Sequence, residues 1–328
     1  MRNEELLALI EKKNHNGDSF FAYNSLVEEA LNISKRCLAS DKPLIVVKEN
    51  NYMANRLKDI LISYFDDDEI VSYLPEESLR SEEIATSFEN RAERLLALYR
   101  IITSKPKVIV TSPYGFIRHL PERDTLLNSI IHLKKDDILE REDLIEKLRK
   151  LGYEKTVHVE TPMTFALRGY IVDVFSVNYP KPFRIEFFDD VIDSIRFFDI
   201  NTQRSEEVND EVTICFAKDV FFSDEEKEFL KENVELTSGE LELNMEYLLN
   251  DVFKQSSYFF YAYFKKEHLV DYLDGDIYLS DKTKIDEHLK LLSEETIAYI
   301  QEMHEEKKLP LKFYVYEDFK RLLFNQYV

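Results

Sequence analysis

In the run Phe183-Arg184-Ile185-Glu186-Phe187-Phe188 the bulky apolar residues fall at every second position. A β-strand turns successive side chains to opposite faces, so Phe183, Ile185 and Phe187 are expected to pack inward and Arg184, Glu186 and Phe188 to share the other face. Arginine beside an exposed aromatic ring is the chemistry of protein docking. The guanidinium offers a fixed fork of donors to a carboxylate, and the ring offers a large area to desolvate. A Phe188 that turns inward at a bulge, or lies beneath another element, fits the same pattern equally well. Arg168, followed by Gly169, would join this face if the strands pair in a suitable register.

Other chemistries lack the residues they require. A phosphate cradle needs glycines, so that backbone N–H groups can converge on the anion, and a lysine for the terminal phosphates. The turn Phe21-Ala22-Tyr23-Asn24-Ser25-Leu26 has neither. The chain holds six glycines, at 17, 115, 152, 169, 239 and 275, and no spacing among them writes a nucleotide-binding motif. The seven histidines are scattered, with no His or Cys partner at zinc-closing spacing. His158-Val159-Glu160 is expected to be a surface pair on a strand. Asp66-Asp67-Asp68-Glu69 lacks the glycine and the terminal bidentate glutamate of a calcium loop, and Asp274-Gly275-Asp276 is expected to be a turn. The sequence therefore predicts no catalysis, no metal and no cofactor.

The elements that must position Arg168, Arg184 and Phe188 are legible as period and punctuation. Helices are expected over 3–13, 25–39, 52–65 and 89–102, alternating with an aromatic run at 19–23 and strands at 44–47, 70–74 and 107–111, which is the pattern of a parallel α/β layer. Beyond Pro121 a charged helix over 144–151, closed by Gly152, leads into strands at 156–161, 165–175, 183–188 and 191–198, with Asp189-Asp190 as a hairpin turn. An antiparallel sheet follows from that spacing. Helices return at 224–233 and 244–253, followed by strands at 258–264 and 276–279 and a helix over 284–306.

Composition bounds the partners. With 328 residues, two or three domains are expected. The net charge of −21 opposes general attraction to nucleic acid or an anionic membrane. Cys37 and Cys215 read as reduced core thiols of a cytoplasmic protein, and no apolar run reaches the ~18 residues of a membrane span.

The region 151–205 resembles the UvrB-homologous N-terminal part of the bacterial transcription-repair coupling factor, Mfd. The carrying residues are Leu151-Gly152-Tyr153, Arg168-Gly169, Ile171 to Phe175, Arg184 to Asp190, Ile192 to Arg196, Phe198-Asp199 and Thr202 to Ser205. Weaker likeness extends upstream, at Leu74-Pro75 and Arg94 to Tyr99, and downstream at Ile277 to Asp281. Tyr170, Ser176 and Val191 depart from the family pattern.

This resemblance implies an α/β fold: a degenerate P-loop, RecA-like parallel-sheet domain in two parts, 1–122 and 216–328, with an inserted, mainly antiparallel α+β UvrB-like interaction domain at 123–215. It implies a non-catalytic recruitment module that binds UvrA through Arg168, Arg184 and Phe188, with Arg196 in support, so that excision repair begins where RNA polymerase has stalled. A local patch of arginines can outweigh a distant net charge, because the Debye length near 0.15 M salt is about 8 Å. The polymerase-binding module and the translocase motor are not in these residues, so a fragment of a longer protein is expected. The alternatives are an autoinhibitory packing module of the same protein and the N-terminal part of a UvrB-type ATPase.

Overall fold

Four strands, β1 (Leu44–Val47), β2 (Ile70–Tyr73), β3 (Val108–Thr111) and β12 (Asp276–Leu279), form a parallel sheet in the order β12-β1-β3-β2. The structure is a computed structural model that describes residues 23–80 and 87–309. The helix expected over 3–13 and the aromatic run up to residue 22 lie outside the described residues.

Helices α1 (Leu26–Ala39) and α2 (Asn51–Leu61) cover one face of this sheet, and α3 (Phe88–Ser104) covers the other. Each begins where a small polar side chain takes up a free N–H of the first turn: Ser25 accepts from Glu28, Asn50 from Met53 and Ser87 from Asn90. In α1 the buried residues Ala30, Ile33 and Cys37 recur at helical spacing and meet Val46, Val108 and Val110, while Ile45, Val71 and Ile109 face α3. At the start of β12, a Cβ on Gly275 would come within 2.7 Å of the Pro43 carbonyl oxygen, so only glycine lets this strand close on β1.

Between these strands the chain builds a six-stranded sheet from β5 (Glu154–Thr156), β6 (Thr164–Arg168), β7 (Ile171–Phe175), β8 (Phe183–Phe188), β9 (Val191–Phe198) and β10 (Ser205–Asn209), in the order β10-β9-β8-β7-β6-β5. All its pairings are antiparallel except β5 with β6. Short helices α4 (Pro113–Ile117) and α5 (Arg123–Asn128) lead into this region. There β4 (Ile131–Lys134) pairs with β11 (Glu211–Ile214), and α6 (Arg141–Lys150) packs Leu144 and Leu148 into the core. One apolar cluster runs through both sheets, from Val71, Leu98 and Ile109 to Phe165, Val172, Ile185 and Ile195. Helices α7 (Asp224–Asn233), α8 (Gly239–Leu249) and α9 (Lys282–Glu305) follow among the described residues. No helix among the described residues is long and apolar enough to cross a membrane.

The structure corrects four expected elements. The strand expected over 165–175 is two strands joined at Gly169-Tyr170, where Gly169 takes a φ of +59°. The strand expected over 156–161 occupies 154–156 instead. Beyond it Thr156 folds back, its hydroxyl donating to the His158 carbonyl, so His158 and Glu160 lie on a loop. The strand expected over 258–264 is part of a 3₁₀ helix, Gln255–Tyr263. Its sequence is apolar on all sides, a pattern compatible with either buried strand or buried helix. The helix expected over 244–253 begins at Gly239, capped by Ser238, and ends at Leu249.

Candidate functional site

The outer face of the six-stranded sheet can be laid out from its register, because directly paired residues share a face. One row runs Thr156, Ala166, Asp173, Arg184, Arg196 and Val208. The next runs Arg168, Ile171, Glu186 and Ser194, and a third holds Phe188 and Val191. Arg168, Arg184 and Phe188 therefore stand on one face, contributed by β6 and β8. The alternation in β8 holds to its end, so Phe188 is not turned inward and is 72% exposed. The bulge beside it falls on β9, where Asp193 is the extra residue between the Glu186–Ser194 and Phe187–Ile192 pairs.

Arg184 differs from the expected free, outward cation. Its Nε donates to Asp173 Oδ1 at 2.7 Å and its Nη2 to Oδ2 at 2.8 Å, a bidentate ion pair in which the two side chains are 13% and 1% exposed. The guanidinium lies over the Phe198 ring, 4.9 Å from its centroid. The hydrogen bonds to the Asp173 carboxylate hold the guanidinium charged, above its already high range. The cause is the register: Asp173 is directly opposite Arg184, and Val159, Ala166, Phe175 and Phe198 form a small apolar cluster that covers this end of the face.

Arg168 is more accessible. Its Nη2 donates to Gln203 Oε1 at 3.4 Å and meets His158 Nδ1 from the loop after β5. Arg196, across the strand pair from Arg184, is 40% exposed at its side chain and reaches Glu186 at 3.7 Å. It keeps company with an acid, as the sequence suggested, yet its Nε has no acceptor among the described residues. The accessible cations of the face are thus Arg168 and Arg196, and Arg184 is the strut between them. Sequence reasoning missed Asp173 because it lies on a different strand from its partner and only register brings the two together.

The parallel sheet shows what stands where open α/β sheets bind ligands, beyond the carboxyl ends of the strands. Lys48, just after β1, pairs with Glu29 of the first turn of α1 at 3.0 Å, and both side chains are buried. Ser280, just after β12, hydrogen bonds to both. An internal carboxylate and ammonium fill that place.

Residues 131–220, which contain the whole six-stranded sheet and both strands of the β4–β11 pair, match the family model of the UvrB interaction domain. The chain carries a UvrB-like module. Over most of its length it is also similar to transcription-repair-coupling factors: 28% identical to that of Bacillus subtilis (strain 168), across 82% of this chain and 25% of the relative, and 27% identical to that of Staphylococcus aureus (strain bovine RF122 / ET3-1), across 97% of this chain and 30% of the relative. These matches support an N-terminal UvrB-like module of the coupling-factor (Mfd) kind. It spans between a quarter and a third of the length of these relatives.

Proposed function

We propose that this chain is a non-catalytic recruitment module of nucleotide excision repair, docking UvrA on the outer face of its six-stranded sheet through Arg168, Arg184 and Phe188. The observation that carries the reading is that these three residues share one face of a sheet lying within a matched UvrB interaction domain. A longer parent protein supplies the contacts to RNA polymerase and the translocase motor, and the module works in the bacterial cytoplasm. Within it, 1–122 and 216–328 are two parts of one parallel layer, supported by the return of β12 to pair with β1, and 123–215 is the insertion.

Affinity of purified UvrA for the chain measures this directly. An Arg168→Ala, Phe188→Ala double variant is expected to bind more than roughly tenfold more weakly, because Arg and aromatic groups desolvated at the centre of an interface dominate its energy. Its unfolding midpoint should stay where it was, since neither side chain is buried. Unchanged affinity overturns the assignment. Charge reversal at Arg184 alone does not test it, because a glutamate there would face the buried Asp173 and weaken the fold. The informative variant replaces Arg184 and Asp173 together by alanine.

The parallel layer is proposed to be a degenerate nucleotide site. The buried Lys48–Glu29–Ser280 network supports this, because a phosphate at the start of α1 would have to displace the Glu29 carboxylate. A titration with ATP is expected to show no saturable binding by the chain; saturable binding would favour a UvrB-type ATPase.

A further inference from the structure

The third row of the outer face does not end at Val191. The segment after β4 comes alongside the β8–β9 hairpin, with Ile138 in an antiparallel bridge to Val191. Three backbone hydrogen bonds hold it there. Asp136 N–H donates to the Ile192 carbonyl at 2.8 Å, Ile192 N–H to the Asp137 carbonyl at 3.0 Å, and Leu139 N–H to the Asp190 carbonyl at 2.8 Å. Paired residues share a face, so Phe188, Val191 and Ile138 lie side by side across three strands. At 84% exposed, Ile138 is the most exposed of the large apolar side chains in the described residues, and Phe188 is 72% exposed. Two such side chains flanking a half-buried valine make a continuous apolar strip, and the fold gains nothing from leaving Ile138 in water.

We propose that Ile138 and Val191 extend the docking surface and that the occupant is the same UvrA-type protein that meets Phe188; the inference rests on the function proposed above. Continuity with Phe188 supplies the first argument. Charge supplies the second. The strip is bordered by Asp136, Asp137, Asp189 and Asp190, whereas the rows beside it present Arg168 and Arg196. The partner it fits has an apolar surface with basic residues on one flank and acidic residues on the other, so the strip also sets the orientation in which the partner docks.

The experiment measures UvrA affinity, self-association by light scattering and the unfolding midpoint for the chain and for Ile138→Asp, Ile138→Ala, Phe188→Ala and Leu291→Asp. Leu291, exposed on α9 rather than on the strands of the strip, controls for loss of surface hydrophobicity. Ile138→Asp is expected to weaken binding roughly tenfold or more and Ile138→Ala by a smaller factor, with the midpoint and oligomeric state unchanged and Leu291→Asp binding normally. If Phe188→Ala loses affinity while both Ile138 variants bind like the original chain, the extension is wrong and the docking function stands. If the original chain does not bind UvrA, the function falls and the extension with it. If the Ile138 variants change self-association and leave UvrA binding intact, the strip is a contact between copies and the proposal is overturned. Should Ile138→Asp unfold the chain, Ile138→Ala decides alone.

Discussion

Replacing Asp219 by alanine is expected to lower the unfolding free energy by about 3 to 5 kcal/mol, the cost of removing one partner from a buried ion-pair group. Its carboxylate lies 2.9 Å from Arg94 Nε and 3.1 Å from Arg118 Nη2, and all three side chains are shut off from water. Arg94 also reaches Glu76 at 2.9 Å. Without Asp219, both buried guanidiniums lose the carboxylate they share. Burial alone would raise the Asp219 carboxyl, yet the guanidiniums of Arg118, Arg94 and Arg91 hold it below the usual carboxylate range. A carboxyl lowered in the folded state contributes its stability in full above its unfolded value of about 3.9 and loses it only as pH falls through the lower folded value, so the Asp219 contribution is undiminished at neutral pH. Denaturant unfolding of the original chain and of Asp219→Ala checks this, with Glu146→Ala as the surface comparison. Glu146 pairs with Lys150 in open solvent, where such pairs contribute little. A loss at Asp219 no larger than that at Glu146 would show that the cluster is not a fastening.

The location of that cluster matters as much as its energy. Arg94 comes from α3, Arg118 follows α4, and Asp219 follows β11, so the ion pairs join the parallel layer to both the way into and the way out of the six-stranded sheet. Arg91 adds a hydrogen bond from Nη2 to the Ala217 carbonyl at 2.7 Å. Together with the shared apolar core, these contacts make the outer face of the six-stranded sheet part of one body, so that the groups proposed to dock a partner are preorganised.

Much of this arrangement was legible from the residues alone, and the places where it was not have definite causes. Strands β8 and β9 were readable to the residue because β8 alternates strictly and Asp189-Asp190 marks the turn between them, where Asp189 takes a φ of +51°. Asp224–Asn233 was equally clear, and in the structure Ser223 and Glu226 form a reciprocal cap at its start. The hairpin at Gly169-Tyr170 was hidden because its two-residue turn interrupts a long apolar run with a single glycine as marker. The site divided along the same line. Which residues of β8 share a face is a local property, and it was readable. Whether Arg168 joins them, and whether Arg184 is free, depends on pairing between strands, which local pattern does not encode. Ile138 gave no sign at all: within Lys-Lys-Asp-Asp-Ile-Leu-Glu it reads as an ordinary loop residue, and only the bridge to Val191 brings it beside Phe188.

Acid is expected to weaken the fold well before its carboxylates protonate, and His119 is the reason. Its imidazole is buried and stands edge-on to the His268 ring, with centroids 5.1 Å apart. Burial first, then the proximity of His268, Arg118 and Lys266, pushes its pKa down to about 3. An unfolded histidine titrates near 6.5, so between about 6.5 and 3 the unfolded chain binds a proton that the folded chain refuses. Stability from this residue is therefore complete above about pH 6.5 and drains as pH falls, at about 1.4 kcal/mol per pH unit. Exposed carboxylates, half-titrated at about 4 to 4.5, are still almost fully ionised at about pH 5.5, so the interval from about 6.5 to 5.5 isolates the histidine, and about 1 kcal/mol should be lost across it. In His119→Gln, which keeps a polar side chain but cannot take up the proton, stability over that interval should be nearly flat. Equal slopes for the original chain and His119→Gln would mean that the buried ring takes up its proton without opening the fold.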